Sequence, residues 1–184
     1  RELYDGDFGQ AILRVKGATD FSSSNGTLIV ESQKPAEADV ELATRSHSRG
    51  NGLFRAGWQY FGMPVDEVDD ADYNTKSNVF GDEIVRKYNR TLQVPNSDEK
   101  WEALASNELL KPGVGYEITT ATPSRYTFKG KLIYENGTDV DGSAIYNFPI
   151  DGSPVGTNYN DINILGNPFT AAMDIDKFKY EDGN

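Results

Sequence analysis

The feature that most constrains this chain is a series of short segments in which apolar and polar residues alternate. Val114, Tyr116 and Ile118 share one face of such a segment, with Gly115 and Glu117 between them. Alternation with a period of two is typical of a β-strand that buries one face. Gly, Asn, Asp and Pro separate the segments, which is the pattern of turns between antiparallel strands. The sequence therefore predicts an all-β protein.

The alternation places strands at 10–16, 27–31, 39–44, 53–61, 84–91, 114–120, 125–135, 143–149 and 160–165. The only two candidate helices are 96–110 and 171–178. The first carries apolar residues at helical spacing and begins with Asn96 and Glu99 in the arrangement of a capping box. Because no long helix separates the strands, we predict an antiparallel β-sandwich, jelly-roll-like, with at most one or two short helical segments.

The chain of 184 residues is long enough for one domain with its own core. We interpret residues 1–184 as a single β-sandwich domain. Residues 1–45 contain turn-rich stretches and too few large apolar residues for a separate core. We expect them to form an N-terminal strand extension packed on the sandwich. Because the chain begins with Arg1 rather than Met, we expect it to be a mature or excised part of a longer protein.

The charge balance argues against two classes of partner. Eighteen Lys and Arg against 29 Asp and Glu give a net charge of −11. Nucleic acids and anionic membrane surfaces bind clustered positive charge, so we expect neither as a partner. No apolar run approaches the roughly 20 residues of a membrane-spanning helix, so we predict no direct membrane insertion. The sequence contains no Cys, which rules out disulfides and Cys-based metal sites.

The sequence shows no pattern of catalytic residues. His47 is the single His and lies in a polar stretch, which is typical of a surface residue rather than a zinc ligand. The nucleophile elbow, the P-loop and the dinucleotide-binding glycine motif are absent. Paired carboxylates could serve glycoside hydrolysis, but only at a fixed separation that the sequence does not define. We predict no catalytic residues and no enzymatic activity.

Two acidic clusters are candidates for a calcium site. The candidate ligands are Asp66, Asp69, Asp70, Asp72, Asp139 and Asp141. Carboxylate oxygens close to a glycine-containing turn suit Ca²⁺. Neither cluster has the twelve-residue EF-hand spacing. Solvated acidic loops are the alternative that the spacing favours. We predict no cofactor apart from this candidate calcium.

Aromatic residues give the remaining signal for binding. A Tyr or Trp ring offers a flat apolar face, on which a sugar can stack, together with a polar tip. A sandwich of this size needs most of these rings in its core, and the alternative is a glycan-binding platform. The candidates are Trp58, Tyr60, Tyr88, Trp101, Tyr116, Tyr126, Tyr134 and Tyr146.

The segment from Gly166 to Pro168 predicts a structural corner. Gly permits a positive φ, Asn tolerates the left-handed region, and Pro restricts the residue before it. We therefore expect Gly166 or Asn167 to adopt a left-handed conformation. We expect the apolar residues after the corner to fill the core: Phe169, Ala171, Ala172, Met173 and Ile175.

The order of several segments resembles a known family. The segments are 58–65 (WQYFGMPV), 88–90 (YNR) followed by Trp101 and Leu104, 110–116 (LKPGVGY), 126–132 (YTFKGKL) and 165–169 (LGNPF). Together they resemble a β-sandwich module of large secreted and cell-surface proteins of Bacteroidetes. That module is found upstream of the C-terminal sorting domain of type IX secretion. The resemblance covers about residues 27–178. It implies an all-β surface module with structural motifs and no agreed biochemical activity.

The resemblance and the composition together predict a non-enzymatic structural or adhesive module of a larger exported protein. We expect it to be secreted or to lie on the cell surface, at the exterior of the outer membrane, with a glycan or another surface protein as its partner. One alternative is a carbohydrate-binding module of a glycan-degrading surface protein. Another is a subunit of an outer-membrane assembly.

If the acidic clusters bind Ca²⁺, millimolar calcium should raise the melting temperature, because a ligand that binds only the folded state stabilises it by mass action. Differential scanning calorimetry in calcium and in chelator checks this. Equal melting temperatures in the two buffers would leave the solvated acidic loop as the interpretation.

Overall fold

The computed structural model describes residues 13–15, 36–44, 57–66, 72–94, 96–135, 137–138, 141–142, 144–150 and 162–178. Its strands are β1 (Leu13–Val15), β2 (Glu37–Ala43), β3 (Gln59–Gly62), β4 (Val65–Asp66), β5 (Ile84–Tyr88), β6 (Trp101–Ala103), β7 (Gly115–Thr119), β8 (Arg125–Leu132), β9 (Gly137–Thr138) and β10 (Ala144–Ile145). The described residues also form the short helix α1 (Lys76–Phe80) and 3₁₀-helices at Ser97–Lys100 and Ile175–Lys177. The predicted all-β class is confirmed.

The main strands form two four-stranded sheets. The first sheet has the order β1-β2-β8-β4, and the second has the order β3-β7-β5-β6. Neighbouring strands are antiparallel, except that β1 runs parallel to β2. β9 and β10 form a separate antiparallel pair.

The order of the strands is that of a jelly roll. The chain alternates between the sheets from β2 to β5, and the late strands then insert between early ones: β7 lies between β3 and β5, and β8 lies between β2 and β4. Such interleaving of two sheets is characteristic of jelly rolls. Beyond β4, a short antiparallel contact joins 74–76 to 108–110, with Lys76 N donating to Glu108 O at 2.9 Å and Leu110 N donating to Asn74 O at 3.1 Å. This contact between 74–76 and 108–110 occupies the position of the remaining strand pair of a jelly roll.

The core lies between the two sheets and is centred on Phe61 of β3. Its ring lies 5.4 Å from that of Tyr116 in the same sheet and 6.1 Å from that of Phe128 in the other sheet. The ring of Phe80 from α1 lies 5.3 Å away. The remaining buried members of the cluster are Ala38, Val40, Met63, Val65, Val85, Leu104, Leu110, Ile118 and Leu132. Burial of these side chains against each other is the main favourable contribution to folding.

The central strands lie close to their predicted positions. Three observed strands lie within predicted ones: β5 within 84–91, β7 within 114–120 and β8 within 125–135. The fourth, β2, overlaps the predicted strand 39–44 and begins two residues before it. The strand predicted at 143–149 is shorter. Of the strand predicted at 160–165, the structure describes 162–165, where Leu165 makes an isolated bridge to Val114. The strand predicted at 27–31 and His47 lie outside the described residues. The single-domain interpretation and the role of residues 1–45 stay predictions.

The candidate helix at 96–110 forms only at its start. A single 3₁₀ turn covers Ser97–Lys100, and the chain then enters β6, where Trp101 pairs with Tyr88 of β5. Sheet pairing therefore overrides the helical spacing of the apolar residues. The α-helix forms instead after Thr75, whose side chain accepts a hydrogen bond from Asn78 N at 3.3 Å and so caps the first turn.

The corner at Gly166 forms for a different reason from the one expected. Gly166 does not have a positive φ, so the prediction is wrong for Gly166, and a left-handed Asn167 stays a prediction. A Cβ at this position would lie 2.2 Å from Val114 O and 2.8 Å from Gly62 Cα. Close approach of two backbones therefore requires glycine. Asn167 then closes a side-chain turn, with its Oδ1 accepting from Phe169 N at 2.9 Å.

The residues after the corner fill the core only in part. Phe169 is half-buried, and its ring packs 5.6 Å from that of Tyr146. Ala171 and Met173 are also half-buried. Ala172 is exposed and Ile175 is 74% exposed, so the expectation that they fill the core is wrong. This exposed part of the segment contains a 3₁₀ turn at Ile175–Lys177, whose N-cap is Asp174.

A buried amide completes the edge of the first sheet. β4 pairs with β8 only at Val65 and Asp66. Farther along β8, Asn74 donates to Lys129 O at 2.7 Å and accepts from Lys129 N at 3.0 Å. Asn74 is completely buried. Its side chain therefore takes the place of a neighbouring strand for the backbone of β8.

Asn74→Ala should lower the free energy of unfolding by about 1 to 3 kcal/mol, because it leaves the Lys129 N–H and C=O groups without these partners. The matched control is Asn78→Ala, which removes a hydrogen bond from an exposed side chain to Asp72 O. That variant should stay within about 0.5 kcal/mol of the parent. Urea denaturation measures both. Equal losses in the two variants would contradict the structural role of Asn74.

Candidate binding face

The outer surface of the second sheet carries the candidate site. Tyr60 of β3 lies opposite Glu117 of β7, and Glu117 lies opposite Arg86 of β5. Residues directly opposite each other project from the same side of a sheet. The neighbouring residues Phe61, Tyr116 and Val85 are core members, so this row projects away from the core.

Four aromatic residues lie on this surface. The Tyr60 ring lies 5.8 Å from that of Trp101, with 40° between the ring planes, and Trp101 lies 5.5 Å from Tyr88 in an edge-to-face arrangement. The Arg86 guanidinium lies 3.8 Å from the centre of the Trp58 ring. We call this surface the aromatic face, formed by Trp58, Tyr60, Arg86, Tyr88 and Trp101. Separations of this kind are favourable for ring pairs and for a cation over a ring.

Local sequence explains how the rings converge. Trp58 lies just before β3, and Tyr60 lies two residues later within β3. Arg86 and Tyr88 are likewise two residues apart in β5. Residues two apart along an extended segment project from the same side of the sheet. Trp101 pairs with Tyr88 in the register of β5 and β6. Tyr60 is 67% exposed, whereas Trp58, Tyr88 and Trp101 are half-buried. The face therefore combines a solvent-exposed ring with rings that are held in place by packing.

An ion pair lies within the face. Arg86 Nε donates to Glu117 Oε1 at 2.6 Å, and Nη2 of the same guanidinium forms an ion pair with that oxygen. Glu117 is only 2% exposed. Burial raises the pKa of Glu117 above its usual value, and the Arg86 charge and hydrogen bond offset part of that rise. The pair fixes the guanidinium against Trp58 and keeps the buried carboxylate partnered.

A small cavity adjoins the face. Its volume is about 170 Å³, and its lining includes Tyr88, Arg90, Pro149 and Leu165. It is smaller than the roughly 300–1,000 Å³ of typical small-molecule pockets. Tyr88 belongs to both the cavity and the aromatic face. The cavity can therefore take a side group of a ligand that rests on the face, but not a whole ligand of that size.

The structure divides the predicted aromatic candidates. Trp58, Tyr60, Tyr88 and Trp101 form the face, as described above. Tyr116 lies in the core, where burial raises its pKa to about 12, and Tyr126 packs against the core. Tyr146 joins a separate cluster with Phe148 and Phe169, and Tyr134 is half-buried.

Sequence reasoning missed Arg86 and Glu117 as parts of the site. Glu117 stands between Tyr116 and Ile118, which are buried in the core. An acidic residue in so apolar a strand signals a partner of opposite charge on a neighbouring strand. Identifying Arg86 as that partner requires the register of β5 and β7, which the sequence alone does not define.

The predicted calcium ligands are not assembled within the described residues. Asp66 lies in β4, Asp72 precedes α1 by several residues, and Asp141 lies in the turn before β10. Asp69, Asp70 and Asp139 lie outside the described part of the chain. Among the residues that the structure describes, no group of three or more acidic or His side chains could hold a metal ion. Calcium binding stays a prediction.

Searches of known proteins give a distant relative. No protein-family model matches the sequence, and no solved structure matches it. The chain is similar to the minor fimbrium subunit Mfa5 of Porphyromonas gingivalis, with 27% identity over 187 residues. The alignment covers 89% of this chain and 14% of the relative, so the chain spans a small part of the relative's length. In the described residues, no helix has the length and apolarity needed to cross a membrane.

The raised pKa of Glu117 predicts how its contribution to stability depends on pH. The folded state binds this proton more tightly than the unfolded chain does, so the contribution is fully present below the unfolded pKa of about 4.3. It is lost as the pH rises through the folded pKa. The free energy of unfolding of the parent minus that of Glu117→Gln should therefore fall between acid and neutral pH. Urea titrations of both proteins measure this difference. A difference that grows with pH would mean that attraction to Arg86 outweighs burial.

Proposed function

We propose that this chain is a non-enzymatic structural and adhesive β-sandwich module of a larger exported protein, located on the cell surface or secreted. The observation that carries the proposal is the similarity to a minor fimbrium subunit along 89% of the chain. An all-β sandwich with a dense aromatic core supports a structural role, since the module gains its stability from packing and contains no Cys.

The aromatic face supports the adhesive part of the proposal. Its exposed ring and fixed guanidinium provide a contact surface on a rigid sheet rather than on a loop. Its carboxylate, Glu117, is buried and bonded to Arg86, which does not suit it to act as a general base. We propose that the partners include other surface proteins, as expected for a component of a surface assembly.

We further propose that the parent protein belongs to a bacterium of the Bacteroidetes and is exported by type IX secretion. The ordered motifs at 58–65, 110–116 and 165–169 support this proposal, and so does the bacterial source of the fimbrial relative.

Antibodies raised against the 184-residue chain test the location. They should label intact cells of the organism that encodes it, and external protease should remove the label. An antibody against a cytoplasmic protein is the control and should label only permeabilised cells. Label that needs permeabilisation would overturn the surface location. Loss of surface label after inactivation of the type IX translocon tests the export route separately.

A further inference from the structure

We infer that the aromatic face is a binding site for an uncharged glycan, with room for one or two sugar rings. This inference deepens the adhesive role proposed above and rests on it. The site is the surface formed by Trp58, Tyr60, Arg86, Tyr88 and Trp101, on the outer side of the second sheet.

The shape of the face fits a sugar ring. The Tyr60 and Trp101 rings lie 5.8 Å apart and are tilted by 40°, so they form two walls rather than one flat floor. The apolar side of a pyranose can stack on either wall. A tilt of this size suits one or two sugar units and does not suit a long flat polysaccharide chain.

The face also supplies polar contacts beside the rings. A guanidinium has five N–H donors. Glu117 uses those on Nε and Nη2 of Arg86, so further donors remain for the hydroxyl groups of a sugar. The ion pair holds the guanidinium over Trp58 before any ligand arrives, which lowers the entropic cost of binding.

The size of the face argues against a second copy of the chain as the occupant. Each aromatic side chain can bury about 150–250 Å². Tyr60 is mostly exposed and the other three rings are half-buried, so the exposed ring area is a few hundred Å². A standard protein interface buries roughly 800 Å² on each partner.

Charge explains why the glycan should be uncharged. The cation on the face, Arg86, is neutralised by Glu117. The chain carries a net charge of −11, which repels sialylated, uronic or sulfated sugars. Neutral hexoses and N-acetylhexosamines meet no such repulsion.

Intrinsic fluorescence reads the site directly, because both Trp residues of the chain, Trp58 and Trp101, lie on the aromatic face. The probes are lactose, N,N′-diacetylchitobiose, cellotriose, maltotriose and mannotriose, with 3′-sialyllactose as the charged comparison. At least one neutral sugar should change the emission with a dissociation constant in the millimolar range or tighter, and 3′-sialyllactose should bind more weakly than lactose.

Ring substitutions test the location of the site. Tyr60→Ala and Trp101→Ala should weaken binding about tenfold or more, since each removes a stacking wall. Tyr60→Phe keeps the ring and should retain binding. Tyr73→Ala is the matched control, because Tyr73 is also exposed, at 54%, but lies beside Lys129 of the first sheet. Circular dichroism and melting temperatures establish that each variant is folded.

Three results would overturn the inference: no probe binds, binding survives Tyr60→Ala in a folded protein, or sedimentation shows self-association that Tyr60→Ala removes. The last result would make the face an interface between copies. Because these measurements use the isolated chain, a failure to bind sugars would leave the surface location standing, whereas label confined to permeabilised cells would overturn the location without affecting sugar binding.

Discussion

The contact between the two sheets at Phe61 determines the rest of the structure. Its ring packs on Tyr116 of its own sheet, on Phe128 of the other sheet and on Phe80 of the helix. Since successive residues of a strand point to opposite sides, burying Phe61 forces Tyr60 outward. The same alternation turns Glu117 outward because its two neighbours are buried. The core therefore places the residues of the aromatic face, and a change of register by one residue would exchange the two sets.

Glu117 shows how the face tolerates a buried charge. A carboxylate removed from water is costly unless it is paired and hydrogen-bonded. Arg86 supplies both from the neighbouring strand, and the Trp58 ring beneath its guanidinium limits the access of water to the pair. Replacing Arg86 alone would leave the carboxylate buried without this partner. The pair therefore links the geometry of the sheet to the arrangement of the aromatic rings.

The sequence predicts the strands that form the core. Prediction from sequence fails where contacts between residues far apart in the chain determine the local structure. Alternation identifies β7, where Tyr116 and Ile118 share a buried face, and it places β8 within 125–135, where Phe128 and Leu132 are buried. It fails at Trp101, where pairing with β5 overrides a helical spacing. The jelly-roll class follows from the spacing of strands, but the convergence of Trp58, Tyr60, Tyr88 and Trp101 depends on register across the sheet. Local sequence does not define that register, so the site could be predicted only as a set of candidates.

The glycines of the second sheet set the limit of the aromatic face. Gly62 and Gly115 are paired, and each lies two residues from Tyr60 or Glu117, so both occupy the same outer surface. Added Cβ atoms would lie 2.5 Å from Asn167 O and 2.6 Å from Ile164 Cγ2. The segment that ends at the Gly166 corner therefore lies directly on the sheet where side chains are missing. The aromatic rings occupy one part of the outer surface, while the glycines let the chain itself cover the other part. The motif around Gly166 is thus structural, and it sets one edge of the aromatic face.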